Sequence, residues 1–242
     1  MPYAIHRRQK IHYTVEGEGP LVVLQHGMLM DGSSWAQGGF VQALSDRYRV
    51  ACVDSLGHGA SDRPGDAALY DQAQRAGDIV AVIDDLGAER AHLIGYSMGG
   101  WMSVGVARHH PDRLASLVVG GWDLVDGTPR LPQGRVTFEI FMDFARQLAP
   151  ELLEWVTPAD MPGLRACYEA LSQLDGASEA VLGAGVPVLL WNGREDAYHA
   201  PMQVFAAAHE LSFLSSAGDH LAAAQTPDAA TIPALRAFLD AA

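Results

Sequence analysis

The chain has 242 residues, nearly half of them apolar, which is length enough for one α/β domain with an insertion and a sizeable core. Its 29 acidic against 16 basic side chains give a formal charge of −13, which argues against nucleic acid or an anionic membrane as partner. No run approaches the roughly 18 consecutive apolar residues of a membrane span, and the opening MPYAIHRRQK has no apolar stretch behind its charges, so a cytoplasmic protein without a secretory leader is expected.

Apolar period and turn residues predict the elements in order. Residues 3–8 and 10–16 read as a hairpin. Leu21–Gln25 and Arg49–Asp54 are short, continuously apolar runs, as strands buried on both faces would be. Asp71–Leu86 carries a helical stripe through Ala76, Ile79, Val80 and Ile83 and ends at Gly87. Ala91–Ile94 reads as a strand, Met98–His109 as a helix stopped by Pro111, and Leu114–Val119 as the next strand. Residues 122–185 then break the alternation, with helix-like segments near 134–148, 150–156 and 161–174. Strand–helix order resumes with Val186–Trp191, a helix near 201–209, a strand near 210–215 and a final helix. This order predicts a mostly parallel sheet with helices on both faces, a core of 1–121 and 186–242, and a small helical cap of 122–185 inserted after strand 6.

The stretch Gly95-Tyr96-Ser97-Met98-Gly99-Gly100 places three glycines around a serine at a strand-to-helix junction. Glycine weakens both elements, so the cluster points to a backbone requirement. A sharp turn that presents a nucleophilic Ser97 above the sheet edge meets it, and Met98 N–H then becomes one oxyanion donor. A serine hydroxyl needs an adjacent base. Of ten histidines, His220 lies after the last predicted strand in AGDHL, where a loop reaches back to the serine; His199 is its rival. The acid that orients the imidazole should follow a strand and precede that histidine. Asp196 in WNGRED satisfies both conditions, with Asp123 and Glu195 as alternatives.

Taken together, HGM (26–28), DSLGHGASDRP (54–64), GYSMGG (95–100), GREDAY (193–198) and GDHLAAAQTP (218–227) resemble the α/β-hydrolase superfamily over nearly the full length. The resemblance implies a Ser97–Asp196–His220 triad and a second oxyanion donor at Met28 N–H, with Gly27 allowing the loop and His26 bracing it. Leu56 departs from the pattern, standing where relatives often carry Arg. The loop around His58 reads as structural, with Ser61 or Asp62 satisfying backbone donors.

No metal-ligand spacing and no G-x-G-x-x-G appears, so neither metal nor cofactor is expected. Cys52, in an apolar run, reads as a buried thiol. The cap is rich in apolar residues, and Phe141, Phe144 and Tyr168 within it, with Trp35 and Trp122 on loops over the sheet edge, are the expected pocket walls. Met28 and Met98 side chains should line the site as adaptable apolar surface. Arg130, Arg135, Arg146 and Arg165 also lie in the cap; any of them could hold a substrate carboxylate, but solvated helix faces carry arginines routinely and none is singled out. The expected function is a carboxylesterase-like serine hydrolase of a small to medium apolar ester or lactone. A carbon–carbon bond hydrolase of aromatic degradation, or a triad-bearing ligand receptor with slow turnover, is the alternative. HGMLMDGSSW lacks the Gly-Pro-Gly-like continuation usual in the former.

Overall fold

Eight strands form one sheet in the order β1-β2-β4-β3-β5-β6-β9-β10. They are β1 (Tyr3–His6), β2 (Gln9–Glu16), β3 (Leu21–Gln25), β4 (Arg49–Val53), β5 (Ala91–Tyr96), β6 (Leu114–Gly120), β9 (Val188–Gly193) and β10 (Ser212–Ser216). Only β2 runs against its neighbours; the pairs from β4 across to β10 are parallel. The computed structural model describes residues 2–128, 130–131 and 134–242, without the side chains of residues 130 and 131.

The central strands are buried along almost their whole length because both faces are covered. Val23, Ala51, Leu93 and Leu117 point into one core, and Val22, Leu24, Val50, Cys52, Ile94 and Val118 into the other. This is the two-residue alternation of a pleated strand. The first core is closed by α3 (Gln72–Asp85) and α4 (Met98–His109). The second is closed by α1 (Ser33–Gln37), α2 (Phe40–Leu44) and α10 (Thr231–Ala241).

Between β6 and β9 the chain leaves the sheet. It makes a short hairpin, β7 (Arg130–Leu131) with β8 (Gly134–Arg135), then α5 (Phe138–Leu148), a 3₁₀ turn (Pro150–Leu153), α6 (Met161–Ala170) and α7 (Ala177–Leu182). Back in the sheet domain, α8 (His199–Ala208) and the short α9 (Ala222–Gln225) precede α10.

Several boundaries differ from those read in the sequence. β5 continues through Gly95 and Tyr96, so the strand delivers the chain directly to Ser97. The strand expected from Val186 begins at Val188, after the positive φ of Gly185 and after Pro187. α5 starts at Phe138 because the Thr137 side chain caps it, while Gly134 and Arg135 belong to the hairpin. The expected helix near 150–156 is a single 3₁₀ turn, and α7, α1 and α2 are additional elements too short to show a periodic stripe.

Candidate active site

Ser97 sits at φ 58°, ψ −119°, a backbone conformation that costs an L residue on the order of 1–3 kcal/mol. Its N–H is held by the Gly120 carbonyl at 2.8 Å. The glycines around it let the packing close: a Cβ at Gly95 would collide with the Gly99 carbonyl, and one at Gly99 with the carbonyl oxygen of Gln25 on β3. β5, α4 and β3 therefore meet at a distance that only glycine permits.

The Ser97 hydroxyl lies 2.9 Å from His220 Nε2, and His220 Nδ1 lies 2.7 Å from Asp196 Oδ2. With the ring proton on Nδ1 toward the carboxylate, Nε2 is the acceptor for the hydroxyl. The Asp196 side chain is 3 % exposed, and its other oxygen accepts from the Tyr198 N–H at 3.1 Å. The rivals are placed elsewhere. Asp123 accepts from the amides of Val125 and Asp126, closing its own turn. Glu195 is exposed, and His199 Nε2 meets the Ser215 hydroxyl at 2.7 Å.

Facing Ser97 is the loop after β3. A Cβ on Gly27 would lie 3.3 Å from Ser97 Cβ, so this loop passes directly over the serine. His26 braces it: Nδ1 donates to the Gly27 carbonyl at 2.7 Å, and Nε2 accepts from the Ser55 N–H at 2.9 Å. Leu29 adopts φ +66°, rare for a non-glycine residue. Its N–H donates to His58 Nε2 at 3.2 Å, and its carbonyl accepts from Trp155 Nε1 at 3.0 Å. Burial pushes the pKa of His26 down; burial, then the neighbouring His26 and Arg75, push that of His58 well down, so both rings are neutral acceptors. Asp54, from the same loop as His58, accepts from the amides of Gly32 and Ala60, and Ser61 donates to the Asp54 carbonyl. Asp62 accepts from the Lys10 N–H.

A cavity of about 180 Å³ opens above Ser97 and His220. Its near wall is Gly27, Met28, Leu29, Met30 and Tyr96; Leu221 and Ala224 flank the histidine; Phe141, Phe144, Ala145, Leu148, Ala149 and Leu152 roof it. Phe141 and Phe144, two of the expected wall residues, are among those lining it. Trp35, Trp122 and Tyr168 do not line this cavity. Trp35 packs edge-on against Phe40 in the second core. Trp122 is 3 % exposed within the first. Tyr168 stacks behind Phe141 at 4.8 Å and donates to the Val136 carbonyl. Large aromatic side chains beside a sheet edge gain more by full burial than by facing an open cleft. The two methionines also part company: Met28 lines the cavity, whereas Met98 is fully buried with its sulfur 3.3 Å from Cys167 Sγ.

Among the cap arginines whose side chains are described, none lines the cavity. Arg146 pairs with Asp143, and Arg165 pairs with Glu139 over the Phe138 ring. Arg135 is partly buried, and the Arg130 side chain lies outside the described residues. Cys52 and Cys167 are both free and buried, and burial raises the Cys52 thiol to about 12. Among the described residues no cluster of His, Cys, Asp or Glu is arranged to hold a metal ion, and no helix is long and apolar enough to cross a membrane. The roof residues beyond the two phenylalanines were not among the expected pocket walls. The signal available was the shared face of Phe141, Phe144, Ala145 and Leu148 on one helix, at spacings of three, four and seven. The hydrogen-bonded line and its apolar chamber can pass a proton from a serine to an imidazole while the serine attacks a carbonyl.

Residues 20–131 match the family model described as the alpha/beta hydrolase fold. A protein of Caulobacter vibrioides provisionally named carbamate hydrolase RutD is 36 % identical over 147 residues, covering 58 % of this chain and 51 % of its own. The pimeloyl-[acyl-carrier protein] methyl ester esterase of Aeromonas hydrophila is 40 % identical over 102 residues, covering 42 % and 37 %. The match thus spans about half the length of the curated relatives or less. The enol-lactonase from Burkholderia xenovorans LB400 superposes with a TM-score of 0.79 at 25 % identity, covering 99 % of this chain and all of that one.

Proposed function

We propose that the chain is a serine hydrolase of the α/β-hydrolase superfamily, cleaving a small to medium apolar carboxylic ester or lactone through an acyl-enzyme; the family-model match over residues 20–131 and the enol-lactonase superposition support this reading. Ser97 is the nucleophile. His220 takes its proton as the carbonyl is attacked and returns it to the leaving alcohol, then activates the water that releases the acyl group. Asp196 holds the ring in the required tautomer and stabilises the imidazolium. The backbone N–H groups of Met28 and Met98 receive the developing oxyanion. Residues 122–185 act as a cap whose α5 roofs the acyl site.

One observation carries the reading: the Ser97–His220–Asp196 line, at 2.9 and 2.7 Å, opens into a chamber lined almost entirely by apolar side chains. The apolar side chains of the described lining support a neutral acyl group over a charged one. The activities for which the esterase and the enol-lactonase are named fall in the same chemical class.

The test is steady-state hydrolysis of p-nitrophenyl esters with two- to twelve-carbon acyl groups, together with simple lactones, by wild type and Ser97→Ala. Turnover by wild type is expected to fall by at least about 10³-fold in the variant, and the chain-length optimum sizes the chamber. Equal inactivity of both proteins sinks the proposal and moves carbon–carbon bond hydrolysis forward. A single burst that leaves a persistent adduct on Ser97 favours a ligand receptor instead.

A further inference from the structure

The loop that crosses Ser97 is held by bonds to successive peptide units. The Gly27 carbonyl accepts from His26 Nδ1 at 2.7 Å and from the Met30 N–H at 3.3 Å. The unit joining Met28 to Leu29 is anchored through its N–H to His58 Nε2, and the unit joining Leu29 to Met30 is anchored through its carbonyl to Trp155 Nε1. Three of these four bonds come from the sheet domain. The fourth comes from the segment between β6 and β9, 126 residues away in sequence.

Trp155 is itself fixed at that position. Its ring lies 5.7 Å from the His58 ring, and the Arg63 guanidinium stands 4.6 Å from its centroid. Arg63 also reaches Asp160 of the cap at 3.2 Å and the Gly59 carbonyl at 2.6 Å. A layered contact thus runs Arg63–Trp155–His58–His26, with the last two rings 5.4 Å apart. It ends on the loop that presents Met28 N–H.

Leu29 gives this contact its consequence. At φ +66° a leucine relaxes toward the ordinary negative-φ regions unless its neighbouring peptide planes are held. Rotation there swings the Met28–Leu29 plane, which adjoins the Gly27–Met28 unit carrying the proposed donor N–H, and so disturbs the aim of that donor. We propose that Trp155 is a positioning residue: its indole N–H, with His58 opposite, clamps Leu29 so that the oxyanion hole is formed only while the cap is docked. The inference rests on the serine-hydrolase reading for its catalytic consequence. The clamp itself is structural and can be measured separately.

The test uses the full chain and Trp155→Phe, which keeps a ring between Arg63 and His58 but removes the N–H. On a short p-nitrophenyl ester, kcat is expected to fall between about tenfold and a hundredfold, with KM within about twofold, because a displaced donor is felt in the transition state and not in ground-state binding. Amide hydrogen exchange in a peptide spanning residues 26–31 is expected to accelerate while exchange elsewhere and the melting temperature hold. His58→Gln, which retains an acceptor, is expected to keep more kcat than His58→Leu. An unchanged kcat in Trp155→Phe, or a loss confined to KM, overturns the clamp. If wild type hydrolyses nothing, the functional reading fails by itself, and the exchange experiment still decides: unaltered protection at 26–31 rejects the clamp, and accelerated exchange keeps it.

Discussion

Asp196 is the residue whose role is most open to direct attack by substitution. Both of its oxygens are engaged, one by His220 Nδ1 and the other by the Tyr198 N–H. Asp196→Asn keeps the shape but offers an amide where the imidazole needs an acceptor, so the ring turns to the wrong tautomer. Under the proposed mechanism kcat is expected to drop by about 10⁴ with little change in KM. Asp123→Asn is the matching control. Its carboxylate caps a turn, so a small change in melting temperature with kcat nearly unchanged is expected. The reverse pattern in steady-state kinetics would hand the role of acid to Asp123.

Among the elements, the junction of β5, α4 and β3 is the tightest, and it depends on the absence of side chains. A Cβ at Gly99 would strike the backbone carbonyls of Gln25 and His26, which belong to the strand and loop that lead over Ser97. Backbone cannot swing aside as a flexible side-chain tip can. Gly99→Ala is therefore expected to cost about 1–3 kcal/mol or more, seen as a fall of several degrees in the thermal midpoint. A variant as stable as wild type would mean that the helix can slide away from the strand. α5 shows the opposite economy: Phe138 and Met142 are buried, while Phe144 and Leu148 remain exposed at 43 % and 79 % beside the cavity. One side of its apolar face joins the first core while the other roofs the chamber.

For the whole molecule, acidity is the condition to which the fold responds through its buried rings. His26 and His58 are held below the ordinary histidine value, chiefly by burial. Arg75 opposes protonation of both rings, and His58 also faces Arg63; Asp54 and Asp31 offset this only at His26. Below about pH 6.5 the unfolded chain takes up protons at these positions while the native state does not. Stability therefore falls as pH drops through that value and keeps falling toward the lowered native pKa values. Asp228 acts in a separate window. Bonds from the Ala217 amide and then Ala230 and Thr231 hold it below its usual range, so its contribution is present above about pH 3.8 and lost below it. Denaturant titrations at pH 7.5 and 5.5 check the histidine window; equal midpoints would show that the two rings are not buried neutral.

What the sequence determined by itself is what local chemistry and chain order encode. Continuous apolar runs marked the buried parallel strands, because both faces of such strands meet side chains and neither meets water. Glycines 95, 99 and 100 marked the turn at Ser97, because close backbone approach excludes every other residue there. The order serine, aspartate, histidine, each placed after a strand, put Ser97, Asp196 and His220 ahead of His199, Asp123 and Glu195, and it is these three side chains that the sheet edge brings into one hydrogen-bonded line. Only the tertiary structure decided which aromatic rings face the cavity. Trp35, Trp122 and Tyr168 look like wall residues in sequence, but whether a ring turns to a cleft or to a core depends on neighbours far along the chain. The short helices and the shifted ends around α5 were hidden for the same reason, since one or two turns carry no readable period. The bonds on Leu29 belong wholly to this second class. They join residues 29, 58 and 155, and no local pattern records that three distant segments meet at one peptide unit.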